Sequence, residues 1–168
     1  MPLTKIEPVV KPDQNGRLRA LFIIAASDVS FAEDPIYAKF FDVIDRKITN
    51  GWAMYALDQQ PRQIESTSEV DEIVEKNRTR LWKMIAHYKP QVVVVFGVNT
   101  MRAINPDLRM LPPKHINHYI HSVKSPLTHQ DQAFLCMTQP RTMLTNHFET
   151  LTAKEDFVRL SMLSHGKH

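Results

Sequence analysis

One uninterrupted apolar run constrains the fold of this chain more than any other feature. Four valines and a phenylalanine stand together at Val92–Phe96, between Gln91 and Gly97. β-Branched and aromatic side chains favour strands, and a run without polar alternation is typical of a parallel strand that is buried on both faces. A second, largely apolar run covers residues 18–26. The two runs predict buried strands of a parallel sheet.

Helical patterns lie between and after these runs. Asp34 and Pro35 are favourable residues for the start of a helix, because Asp caps free amides and Pro lacks one. Apolar residues at helical spacing predict a second helix over about 68–88. Near the end of the sequence, Thr152 and Glu155 match the capping box of a last helix.

The alternation of strands and helices determines the predicted architecture. Further strands are expected at 52–57 and 134–138, and an edge strand or hairpin at 116–123. Crossover connections of this kind give parallel sheets. We therefore predict one α/β domain over residues 18–165, with three layers and a central, mostly parallel sheet of four or five strands. Residues 1–17 contain three prolines and are predicted to form an extended N-terminal arm.

Composition limits the compartment and the class of partner. The single cysteine, Cys136, has no internal partner for a disulfide, which is typical of a reducing compartment. No apolar run is long enough to span a bilayer. We therefore expect a cytoplasmic protein without membrane contact. The formal net charge of +3 comes from 21 Lys and Arg against 18 Asp and Glu, and the densest basic segment, Lys76–Lys83, is predicted to be a solvated helix face.

The sequence argues against nucleotide, metal and cofactor sites. Only four glycines are present and none forms a glycine-rich phosphate loop. The histidines of the segment 115–129 include three at a spacing of three residues, His115, His118 and His121. In an extended segment this spacing alternates faces, so the side chains do not converge on a metal. We interpret them as polar surface residues, and Cys136 as an inert core residue; the role of the segment itself is not assigned.

Two stretches resemble the uracil-DNA glycosylase superfamily. Residues 89–97 are similar to its middle strand, and residues 134–144 are similar to its late motif. The resemblance implies a related fold and, as one alternative, a divergent DNA repair enzyme that acts on a flipped base. The pocket residues that this alternative implies are Asp28 to position water, Phe31 or Phe96 to stack the base, and Gln139 to contact it.

The same stretches depart from the glycosylase pattern at the positions that carry the chemistry. Gln139 stands where these enzymes have a histidine, and the loop at 25–30 lacks their Gly-x-x-Pro sequence. Asp28 lies in this loop, where it suits either acid–base chemistry or ordinary solvation. The departures favour a chain without catalytic activity, in which the pocket is a vestige.

A second family is more similar still. Residues 19–26, 34–44 and 138–160 resemble the psi subunit of the bacterial DNA polymerase III clamp loader. This resemblance implies a noncatalytic accessory subunit that bridges the chi subunit to the clamp-loader core of tau and gamma subunits. It also implies an indirect link to single-stranded DNA-binding protein, and it leaves direct contact with DNA open. The arm would bind through four apolar anchors, Leu3, Ile6, Val9 and Val10.

Overall fold

The computed structural model describes residues 20–25, 52–57 and 66–138, with positions 146, 148, 151–152, 154–156 and 158. Within this part of the chain, five strands form one sheet in the order β2-β1-β3-β5-β4. The strands are β1 (Ala20–Ile24), β2 (Trp52–Ala56), β3 (Val92–Phe96), β4 (Ile120–Lys124) and β5 (Asp131–Met137). The first four in spatial order are parallel, and β4 is antiparallel to β5. The predicted α/β class with a mostly parallel sheet is therefore confirmed.

Two helices connect these strands within the described residues. Helix α1 (Thr67–Tyr88) begins one residue before the prediction, because the Ser66 hydroxyl accepts the N–H of Glu69 at 3.2 Å. Its C-cap is Lys89, whose N–H donates to the Ile85 carbonyl at 2.8 Å and whose left-handed backbone ends the helix. Helix α2 (Val98–Ile104) follows β3, and 3-10 turns at Pro106–Met110 and Pro113–His115 lead to β4. None of the described helices combines the length and apolarity needed to cross a membrane.

The centre of the sheet is buried on both faces. The strand register aligns Ile23, Val95 and Cys136 on one face, where they belong to the same core as α1 and α2. Trp82 of α1 meets Phe134 of β5 edge-on, with ring centroids 5.7 Å apart. The opposite face, which carries Phe22, Ile24, Val94, Phe96, Leu135 and Met137, is equally buried. This double burial explains why β1 and β3 carry no polar alternation, and it is compatible with three layers.

The last helical segment begins earlier than the sequence predicted. Position 148 is already helical, as are the described positions from 151 to 158. The side chain of Asn146 accepts the N–H of Phe148 at 2.9 Å and takes the capping role. Thr152 lies inside the helix and donates its hydroxyl to the Phe148 carbonyl at 2.8 Å. The predicted capping box of Thr152 and Glu155 is therefore wrong, because a threonine within a helix binds the carbonyl four residues back.

Candidate functional site

The sheet topology identifies one end of the molecule as the usual place for a ligand. β1 has β2 on one side and β3 on the other, so the chain reverses its direction across the sheet between β1 and β3. Ligands of open α/β sheets bind at such points, beside the carboxyl ends of the strands. Of the predicted pocket residues, Phe96 lies at this end of the sheet, as the last residue of β3.

Phe96 is the one residue of the predicted pocket that the structure describes. Its side chain is fully buried and stacks on Phe22, with ring centroids 5.9 Å apart and planes inclined by 19°. In this position Phe96 is part of the core and presents no face on which a base can stack. The other predicted pocket residues, Asp28, Phe31 and Gln139, lie outside the described residues, as do the arm anchors Leu3, Ile6, Val9 and Val10.

The carboxyl end of β3 is hydrogen-bonded to β5. Gly97 follows the strand with a φ of 102°, a value that a residue with a side chain adopts only with strain. This turn lets the Gly97 N–H donate to the Met137 carbonyl at 2.8 Å and starts α2 at the next residue. The Gly97 N–H is therefore used in the pairing of β3 with β5.

A histidine and an aspartate form the most unusual polar contact in the described residues. The segment before β4 runs beside β5, where the His118 N–H donates to the Cys136 carbonyl at 2.8 Å. His118 has a φ of 68°, which is uncommon for a residue other than glycine. Its Nδ1–H donates to Asp156 Oδ2 at 2.5 Å. The pair therefore connects the last helical segment to the edge of the sheet.

Burial makes this contact structurally important. The side chain of Asp156 is 2% exposed and that of His118 is 20% exposed. A buried carboxylate is costly unless a partner donates to it, and His118 is such a partner. The expectation that His118 is an ordinary surface residue is therefore wrong. Sequence reasoning missed Asp156, because an acidic residue next to Phe157 carries no local pattern that indicates burial.

The neighbouring histidines are directed elsewhere. The His121 ring lies 3.0 Å from the Ile116 carbonyl, to which its Nε2–H donates. His115 is exposed at the end of a 3-10 turn, and His129 is exposed in the turn between β4 and β5. Among the described residues, no three His, Cys, Asp or Glu side chains are grouped to hold a metal ion.

Cys136 is a core residue with a suppressed thiolate. Burial raises the pKa of its thiol to about 12, although the positive charge of Arg102 acts in the opposite direction. The thiol donates to Asn117 Oδ1 at 3.3 Å. Because the thiolate is the nucleophilic form, Cys136 is not a nucleophile at neutral pH, in agreement with its interpretation as an inert core residue.

The basic segment of α1 is a surface of local ion pairs. Lys76 pairs with Glu72 at 2.9 Å, and both side chains are well exposed. Arg78 differs from the prediction of a purely solvated face, because it also donates to the Ala103 carbonyl at 2.9 Å and to that of Ile104. It thereby joins α1 to the end of α2. Two of the four cations of the segment, Lys76 and Arg78, are therefore committed to groups of the chain itself, which leaves fewer than a phosphate backbone normally uses.

Apolar side chains are exposed on the last helical segment. Phe148 is 78% exposed, and Leu151 and Val158 are about half exposed. These three residues, which we call the outer stripe, are three and seven positions apart and share one helix face. Asp156 points to a different face and is buried. The segment is therefore held to the domain through Asp156, and its exposed side combines these three apolar residues with the exposed charged residues Lys154 and Glu155.

A cleft of about 440 Å³ lies at the opposite end of the sheet, beside Pro90, Ser125 and Gln132. Its polar groups mainly hold turns in place. The Ser125 hydroxyl accepts the N–H groups of Leu127 and Thr128, and the Gln132 amide donates to the Pro90 carbonyl. The charged residues that line the cleft are Lys89 and Asp131, and the Ser125 hydroxyl between the two strands is used in the turn.

Comparison with known proteins adds no assignment, since neither a protein-family model nor a curated protein matches this sequence.

Proposed function

We propose that this chain is a noncatalytic accessory subunit of a bacterial replicative clamp loader, similar to the psi subunit, with a uracil-DNA glycosylase-like fold. In this role it bridges the chi subunit to the clamp-loader core and links both indirectly to single-stranded DNA-binding protein. The sequence resemblance at residues 19–26, 34–44 and 138–160 motivates the proposal. The observation that carries it is the outer stripe of Phe148, Leu151 and Val158.

The outer stripe has the chemistry of a protein-binding surface. An aromatic side chain exposed to this degree gains roughly 1.5–3 kcal/mol when a partner buries it fully, and aromatic anchors dominate many interfaces. An amphipathic helix normally buries its apolar stripe against another surface. The contact between Asp156 and His118 fixes the inner side, so the stripe is presented on a supported helix.

The arm supplies the second contact of the proposed bridge. Leu3, Ile6, Val9 and Val10 alternate with charged residues and prolines, so the arm buries too little surface alone to offset its ordering entropy. We assign the arm to the clamp-loader core and the outer stripe to the chi subunit. A chain with two such separate contacts can hold two partners together.

Binding measurements with the two partners test this assignment. We expect the full chain to bind purified chi and purified clamp-loader core in isothermal titration calorimetry. A chain that begins at Gly16 should no longer bind the clamp-loader core but should still bind chi. Phe148→Ala should lower the affinity for chi by roughly 30-fold, the equivalent of about 2 kcal/mol. Its affinity for the clamp-loader core should be unchanged.

Met110→Ala is the matched control for Phe148→Ala. Met110 is 91% exposed but lies in a 3-10 turn away from the last helical segment, so its replacement should change neither affinity. Failure of the full chain to bind either partner would contradict the proposal. If Phe148→Ala bound chi as tightly as the unaltered chain does, the outer stripe would not be the surface that binds chi.

The proposal also requires that the chain does not excise uracil. Phe96 is in the core, and Gln139 cannot carry the charge of the histidine found in glycosylases. We expect no cleavage of a uracil-containing single strand at micromolar protein. Turnover that Asp28→Ala abolishes would favour the glycosylase alternative instead.

A further inference from the structure

The edge of the sheet at β4 has the properties of a peptide-binding strand. β4 is the outermost strand on its side among the described residues, and none of its five residues is buried. Exposed edges are usually blocked by proline, bulges or inward charges, because they pair readily with other chains. Ile120–Lys124 contains no proline, its register with β5 is continuous, and its one lysine, Lys124, stands at the end of the strand.

The hairpin bond next to β4 fixes which backbone groups point outward. The Ser125 N–H donates to the Gln130 carbonyl at 2.9 Å, so this pair is hydrogen-bonded. Antiparallel pairs alternate between bonded and non-bonded, and the register continues from Lys124 opposite Asp131 to Ile120 opposite Leu135. His121 and Val123 therefore bond to β5. The backbone groups of Ile120, Ser122 and Lys124 point away from the sheet.

The chain around this edge is free of acidic residues over a long stretch. No Asp or Glu stands between Asp107 and Asp131, whereas Lys114, Lys124 and four of the eight histidines do. Lys114, His115, Lys124 and His129 are exposed. Arg109 in this stretch is paired with Asp71 at 2.9 Å, and Asp131 faces Lys124 across the hairpin. Lys114 and Lys124 against Asp131 therefore leave this stretch with a small excess of positive charge.

We infer that β4 binds an extended acidic peptide segment, which adds to the sheet as a further strand. The outward backbone groups supply the main-chain hydrogen bonds of strand addition. Exposed Ile120 and the neighbouring Tyr119 offer apolar contact on the strand face, and the exposed Lys114 and Lys124 favour negative side chains. This inference uses different residues from the outer stripe and holds whether or not the chain belongs to a clamp loader.

The same observations favour a peptide over a nucleic acid. A nucleic acid has no backbone groups at the spacing that an edge strand pairs with. Two exposed lysines with partly opposed charge are also fewer cations than a phosphate track normally uses. A peptide with alternating apolar and acidic residues satisfies both the backbone groups and the charge.

Fluorescence anisotropy with a labelled peptide of alternating glutamate and valine tests the inference on the full chain. We expect saturable binding that weakens as salt is added. The corresponding lysine–valine peptide should bind at least about tenfold more weakly. Binding of a labelled thymidine oligonucleotide is measured in parallel. Tighter binding of the oligonucleotide than of the acidic peptide would overturn the inference.

Two proline variants separate the edge from the fold. The Ser122 N–H points outward, so Ser122→Pro should leave the β4–β5 pairing and the melting temperature nearly unchanged, since proline is tolerated at such edge positions. Ser122→Pro should lower the affinity for the acidic peptide by about tenfold, as expected for the loss of one or two hydrogen bonds. Val123→Pro removes an inward bond and should lower the melting temperature instead. Unchanged peptide affinity for Ser122→Pro would overturn the inference.

A measurement on the unaltered chain covers the case in which Ser122→Pro does not fold. On titration with the acidic peptide, the amide resonances of Ile120, Ser122 and Lys124 should shift and exchange more slowly with solvent. Shifts confined to residues away from β4 would overturn the inference.

Discussion

The centre of the sheet and its β4 edge are built from opposite kinds of residue. Every residue of β1 and β3 is buried and apolar, whereas β4 alternates between exposed and half-buried positions and carries His, Ser and Lys. The centre therefore contributes stability and presents no accessible polar side chains. The edge and the last helical segment supply accessible groups and rely on the centre for their position.

The largest expected effect distinguishes a central from an edge position. Val94→Asp places a carboxylate without a partner in a strand buried on both faces, which costs more than about 4 kcal/mol. Because domains of this size are stable by roughly 5–15 kcal/mol, this cost removes a large share of the total, and we expect the lowest urea midpoint of all the variants when unfolding is followed by circular dichroism.

Ser122→Asp is the matched control for Val94→Asp. It introduces the same side chain at an exposed position of β4 and should change the free energy of unfolding by less than about 0.5 kcal/mol. Similar losses for the two variants would contradict the contrast between the centre and the edge.

The next effect concerns the contact that attaches the last helical segment to the edge. His118→Ala removes the imidazole that donates to the buried Asp156 carboxylate, and we expect a loss of about 2 kcal/mol in the free energy of unfolding measured with urea. Adding Asp156→Asn should restore part of this loss, because the buried charge is then absent.

His115→Ala controls for the removal of an imidazole as such. His115 is exposed, so its loss should stay within about 0.5 kcal/mol. If His118→Ala were equally mild, His118 would be the ordinary surface residue that its sequence context indicates.

The smallest effect is a pH dependence of the centre. The folded pKa of the Cys136 thiol is about 12, against an ordinary value of 9.0. The unfolded chain therefore loses this proton first, so stability is retained below pH 9 and falls as the pH rises from 9 towards 12. At pH 10 the thiol contributes a loss of about 1.4 kcal/mol.

Comparison of the unaltered chain with Cys136→Ser isolates this thiol from the lysines and tyrosines that titrate in the same range. The difference in unfolding free energy between the two proteins should narrow between pH 8 and pH 10. A constant difference would show that the thiol ionises as readily in the folded chain as in the unfolded one.

The sequence predicted the centre well and the contacts at its margins poorly, for a physical reason. An apolar run such as Val92–Phe96 carries its own signal, because burial on both faces needs no information from distant residues. The partners His118 and Asp156 are 38 positions apart, and no local pattern connects them. Thr152 shows the same limit, since its hydroxyl is as able to bind a carbonyl inside a helix as to cap one. Phe96 matched a glycosylase motif, but the packing of Phe22 against it places it in the core.

Hydrogen exchange with the proposed partners tests most directly whether binding uses the margins of the fold and leaves the centre as support. We predict that saturating chi and clamp-loader core slow exchange in the arm at residues 1–17 and in the last helical segment around Phe148, while the amides of β1 and β3 exchange as slowly as before. Unchanged exchange at both margins, with new protection at the carboxyl ends of β1 and β3 when uracil-containing DNA is added, would contradict the account.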